Sequence, residues 1–141
     1  MRIFIAFLTV SYTSLTFASE HVHERPNLLL NIFIQGKRVE FLGTKGSDQK
    51  NNVPVYSKNC DSGGCRALIA AKQSPPKTLK PDDLQNGEDP AYLFCEKTGG
   101  KLVSGTVEGR KHSQLFCEFR SKKQLSYIDP AVLWMIANKQ I

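Results

Sequence analysis

Cysteine occurs four times in this chain, at Cys60, Cys65, Cys95 and Cys117, and every one lies downstream of a segment that reads as an export signal. Met1-Arg2 is followed by the short apolar run Ile3 to Val10, and Thr16-Phe17-Ala18 places small residues where a signal peptidase reads them. The run is too short to cross a bilayer, which needs about 20 apolar residues, and no charged stop follows it. A signal peptide over 1–18 and a mature chain starting at Ser19 are therefore expected, with a periplasmic or secreted location and no stable membrane insertion after cleavage. An even number of cysteines in an exported chain implies disulfides. Four cysteines allow three pairings. Cys60 with Cys65 and Cys95 with Cys117 are favoured, because each pair falls within one apparent structural unit.

Hydrophobic patterning then locates the elements. Leu28 to Ile34 and Arg38 to Leu42 are β-branched and aromatic runs around Gln35-Gly36-Lys37, the pattern of a hairpin. Val53 to Tyr56 reads as a short edge strand, since Pro54 cannot donate to an interior ladder. Arg66 to Gln73 contains good helix formers and ends at Pro75-Pro76. From Ser74 to Gly87 almost nothing is apolar, so this stretch reads as a linker. Beyond it, Asp89 is a good N-cap with Pro90 at the first helical position, and Gly99-Gly100 stops the helix after Lys97. Lys101 to Val107 and His112 to Phe119 predict a second hairpin around Glu108 to Lys111. Alternation places Cys117 on the face that reaches Cys95. Asp129-Pro130 repeats the capping signal for a final helix, Ala131 to Ala137.

The predicted fold is α+β: a small disulfide-stapled domain of β-hairpins and short helices. Its expected parts are the signal peptide 1–18, an N-terminal β-rich subdomain 19–73, a polar linker 74–88 and a C-terminal helix-hairpin-helix module 89–141.

Within that module the order Asp89-Pro90-Ala91, Cys95, Gly99-Gly100, Cys117-Glu118-Phe119 and Ser126-Tyr127-Ile128-Asp129 resembles a family of small exported bacterial domains of unknown function, often labelled haemolysins. In that family a helix with an Asn-Pro-Ala-like cap carries a cysteine. A Gly-Gly follows, and a second cysteine sits in a Cys-x-Phe strand before an Asp-Gly-Ser turn. The similarity covers Asp89 to Trp134. Here the turn is replaced by the longer, basic Ser121-Lys122-Lys123-Gln124-Leu125-Ser126. The resemblance implies an exported, disulfide-bonded domain and no particular activity. No long amphipathic or pore-forming segment supports the haemolysin label.

Charge narrows the partners. There are 19 Lys and Arg against 13 Asp and Glu, net +6, and removing Arg2 with the signal leaves 18 against 13, net +5. The basic residues are dispersed with no run of five, which argues against a nucleic-acid footprint. Anionic headgroups, cell-wall polymers and acidic polysaccharides remain compatible with this balance.

No catalytic constellation is present, and no enzyme activity or cofactor is expected. His112 is the only histidine outside the N-terminal arm, no serine lies in a nucleophile-elbow context, and Glu96, Glu108 and Glu118 are scattered. One chemical reading concerns the arm. After cleavage at Ala18, His21 would be third from a free amine and would close a square-planar nitrogen site for copper(II) or nickel(II), with His23 beside it. The plainer reading is a polar arm that contains two histidines. Tyr92, Tyr127 and Trp134, beside Lys122 and Lys123, form the expected aromatic and basic binding surface. The function expected is that of an exported binding or interaction protein for an unknown protein or envelope component. The alternatives are an inhibitor of an envelope or host enzyme, or the metal-binding arm.

Overall fold

The computed structural model describes residues 26–47, 51–61, 64–73, 87–122 and 124–138. Six antiparallel strands close a barrel in the order β1-β2-β3-β6-β5-β4. They are β1 (Leu28–Ile34), β2 (Lys37–Lys45), β3 (Asn52–Ser57), β4 (Lys101–Val107), β5 (Ser113–Arg120) and β6 (Leu125–Ile128). Three eight-residue helices accompany them: α1 (Arg66–Gln73), α2 (Pro90–Lys97) and α3 (Pro130–Ala137). Of the described residues, strand accounts for 44% and helix for 28%. The expected α+β domain of hairpins and helices is thus corrected to a mostly β closed barrel. Local patterning detects hairpins, whereas closure depends on contacts between segments far apart in the chain.

The barrel consists of two three-stranded meanders. In the first, β1 turns into β2 through Gln35 and Gly36, both at positive φ (52° and 75°), the geometry of a two-residue type I′ turn. In the second, the predicted β4–β5 hairpin is joined by β6, a strand at Leu125–Ile128 that the sequence pattern does not predict. The meanders meet along two seams. Ile32 to Ile34 of β1 pair with Gly105 to Val107 of β4, and Tyr56 of β3 pairs with Ile128 of β6. Asp129 N–H adds a bond to the Val55 carbonyl at 2.8 Å. In a closed barrel β3 is not an edge strand, as Pro54 had suggested. Pro54 is tolerated because it lies beside a register shift at Leu42/Gly43 and beyond the single β3–β6 pair, where no ladder bond is required of it.

Side chains divide into two cores. Inside the barrel are Ile32, Ile34, Phe41, Val103, Val107, Phe116 and Tyr127. Gly105 belongs to this interior by necessity, for a Cβ there would lie 2.8 Å from the Phe116 ring and 2.9 Å from Ile34 Cγ1. The second core lies between the helices and the outer faces of β5 and β6. Phe94, Cys95, Cys117, Phe119, Ile128 and Leu133 are among its buried members. Residues 116–119 of β5 are consequently buried on both faces, alternating between the two cores. The outer wall of β1 carries no helix, and Leu29 and Phe33 are 55% and 41% exposed.

Disulfides join Cys60 to Cys65 and Cys95 to Cys117. The second ties α2 to β5 across the helical core. Gly100 passes beside it, with a Cβ position only 2.5 Å from Cys117 Sγ. Among the described residues no helix is long and apolar enough to cross a membrane.

Candidate binding site at the barrel mouth

One end of the barrel carries the β1–β2 turn, the residues after β3 and the β5–β6 turn. This mouth is assembled by a chain of polar contacts. After β3 the backbone makes a 3₁₀ turn at Lys58–Cys60. Buried Ser57 accepts the Tyr127 N–H at 2.9 Å and donates to Asn59 Oδ1 at 2.6 Å. Asn59 Nδ2 in turn donates to the Leu125 carbonyl at 2.9 Å. These bonds hold β6 to β3 where their ladder has a single residue pair. They also place Lys58 and Leu125 on the rim.

The rim surrounds an open cleft of about 810 Å³, lined in part by Lys37, Arg38, Glu40, Lys58, Leu125 and Tyr127. A second lobe of about 540 Å³ is lined by Arg120, Ser121, Lys122, Gln124 and Leu125, so Leu125 belongs to both. Among the described residues five cations therefore line the two lobes against one lining carboxylate, Glu40, with Glu118 buried beside Tyr127, and both carboxylates are engaged. Glu40 meets Lys58 at 3.5 Å with both side chains about half exposed, a pair of small energetic weight. Glu118, only 8% exposed, lies opposite Tyr127 across the β5–β6 ladder, and its carboxylate is 3.8 Å from Arg120. Lys37, Arg38 and Lys122 have no ion-pair partner among the described residues.

Tyr127 forms the floor. Its ring is 6.1 Å from that of Phe41, which lies 5.0 Å from Phe116. Burial first, then the charge of Glu118 and a hydrogen bond to it, push the Tyr127 hydroxyl up to about 12, while Arg120 acts in the opposite sense. The phenol is therefore a neutral donor at physiological pH.

The expected surface of Tyr92, Lys122, Lys123, Tyr127 and Trp134 is distributed over three places. Tyr127 is 6% exposed and faces the barrel core. Lys122 lies in the second lobe of the mouth, and Lys123 is outside the described residues. Tyr92 and Trp134 do come together, in a groove of about 420 Å³ between α2 and α3, but their charged neighbours there are Asp89 and Asp129. The reason is the repeated Asp-Pro start: both helices deliver a capping acid to the same groove. Asp89 accepts the Ala91 N–H at 2.8 Å, and Asp129 accepts those of Ala131 and Val132. Burial and the charge of Asp89 raise the Asp129 carboxyl, against the lowering effect of the two backbone donors.

His112 is exposed in the β4–β5 turn and shares a shallow pocket with Arg110, Lys111, Ser113 and Gln114. The buried carboxylate Glu118 is six residues further along, about 20 Å at strand rise. The pocket that holds His112 is lined by neither Glu118 nor Asp129. His21 and His23 lie outside the described residues. Among the described residues no group of three or more His, Cys, Asp or Glu could hold a metal ion.

Sequence reasoning missed Lys37, Arg38, Lys58 and Arg120 as a group. The available signal was their position: Lys37-Arg38 closes the predicted Gln35 to Lys37 turn and Arg120 directly precedes the predicted Ser121 to Ser126 turn, although only closure of the barrel shows that the turns share an end. No known protein family, curated protein or solved structure gives a significant match to this chain.

Proposed function

We propose that this chain is an exported binding protein that holds an acidic envelope or extracellular partner at the mouth of its barrel, without transforming it. The observation that carries this reading is the charge at the mouth, five cations against two carboxylates that are already engaged. A protonated tyrosine and a carboxylate occupied by Tyr127 and Arg120 supply no free base and no nucleophile at the floor of the cleft. The export signal and the two disulfides support a periplasmic or secreted setting.

The test is binding of the mature protein to dextran sulfate, with neutral dextran as reference, across a salt series. Binding to the sulfated polymer alone, weakening as salt rises, is expected. Reversing Lys37 and Arg38 to Glu should weaken it about tenfold, as loss of a charged contact patch does. Reversing Lys45 and Lys111, at the opposite end of the barrel, should leave it nearly unchanged. Equal losses from both pairs would reduce the effect to net charge and remove the site.

A further inference from the structure

Building on the proposed anion site, we infer that the mouth is a track for a linear acidic polysaccharide rather than a seat for one small anion. The two lobes meet at Leu125 and together span four neighbouring strands in the order β2, β3, β6, β5. Two laddered spacings and the side-chain-bridged β3–β6 gap make the track at least about 14 Å across. Its cations are not pooled in the centre. Lys37 and Arg38 stand at one end and Lys122 at the other with Arg120, whose side chain is 77% exposed although Glu118 lies 3.8 Å from it, while Lys58, near the middle, is paired with Glu40. Between the charged ends are Asn59, Gln124 and the 37% exposed side chain of Leu125, which carry no charge. A lone carboxylate, sulfate or phosphate would engage one end and leave the other empty. A chain whose acidic groups are separated by neutral, hydroxyl-bearing rings meets charge at both ends and a neutral middle.

Three other polyanions fit less well. An acidic peptide would gain main-chain bonds by pairing with a strand edge, and at the mouth the thinly laddered β3–β6 seam is already bridged by the Ser57 and Asn59 side chains. Single-stranded nucleic acid needs aromatic rings for its bases to stack on, and the only aromatic side chain lining either lobe is Tyr127, buried in the barrel. An anionic membrane offers headgroups over the whole face at once and makes no use of the uncharged stretch between the two charged ends.

The proposal is tested by calorimetry and fluorescence anisotropy on the mature protein. The probes are a long hyaluronan oligosaccharide, whose carboxylates lie on alternate rings, glucuronic acid, poly-glutamate, a thymidine oligonucleotide and vesicles containing phosphatidylglycerol. The oligosaccharide should bind about a hundredfold more tightly than the monosaccharide, because charges at both ends engage one molecule. K37E/R38E and R120Q/K122E should each weaken it about tenfold, and K45E/K111E should not. Near-equal affinity for monomer and oligomer, with loss only in K37E/R38E, would overturn the track and leave the anion site standing. Tighter binding of poly-glutamate, oligonucleotide or vesicles would overturn the polysaccharide assignment alone. Binding of no anion, or equal weakening by the opposite-end pair, would remove both this inference and the function beneath it.

Discussion

Tyr127 shows how much depends on which way one side chain points. Placed on the surface it would be a recognition residue, as its neighbours Lys122 and Lys123 suggested. Turned inward by strand alternation, it fills the barrel and meets Glu118. Its hydroxyl is raised from 10.0 to about 12 by burial first and by Glu118 second. The folded protein thus binds this proton more tightly than the unfolded chain does. The resulting stabilisation is fully present below pH 10 and is lost as pH rises towards 12. A spectrophotometric titration should find one phenol ionising near the upper value, and Tyr127→Phe should remove it and flatten the alkaline loss of stability. A late-titrating phenol that survives the substitution would contradict the assignment. The aromatic character of position 127 was legible in sequence. Its inward direction was not, because the four-residue strand Leu-Ser-Tyr-Ile is too short to reveal a period.

At the scale of elements, local chemistry set most of the structure. Both Asp-Pro starts became capped helices, α2 runs from Pro90 to Lys97 as expected, and its inner face of Ala91, Phe94 and Cys95 is buried. Lone elements of this length are marginal, however, and cross-links carry more of the stability than propensity does. The Cys95–Cys117 bridge spans 22 residues and the Cys60–Cys65 bridge only 5. Loop-closure entropy then assigns about 3 kcal/mol to the first and about 2 kcal/mol to the second. Urea unfolding should rank the paired alanine variants in that order, with C95A/C117A the less stable. The reverse order would mean that the Cys60 to Cys65 turn, and not the α2–β5 tie, is the principal constraint.

For the whole molecule, each meander leaves two strand edges that only the other can pair. The β1–β4 seam has three residue pairs and the β3–β6 seam one, supplemented by the Ser57 and Asn59 bonds. Interior residues such as Phe41 and Phe116 come from opposite meanders and touch across the barrel. The interior core is shared between the meanders, and the core under the helices also takes Ala67, Leu68, Ala70 and Ala71 from the first half of the chain. Fragments 26–73 and 89–138 expressed separately should therefore lack dispersed amide spectra and cooperative unfolding, whereas the intact chain should show both. Independent folding of the 89–138 fragment would show that the helix layer alone suffices to stabilise three strands.

By itself the sequence determined what is local: the export signal pattern, the hairpin turns, the capped helices and a cysteine pairing within each apparent unit. These depend on residues only a few positions apart, through φ preference, capping bonds and side-chain period. The tertiary structure alone decided the closure of six strands, the burial of Tyr127 and Glu118, and the gathering of Lys37, Arg38, Lys58, Arg120 and Lys122 at one mouth. These outcomes depend on which strand ends come together across some 60 to 90 residues of chain, from Lys58 to Arg120 and from Arg38 to Leu125. No local preference encodes that distance, and the site exists only because the barrel closes.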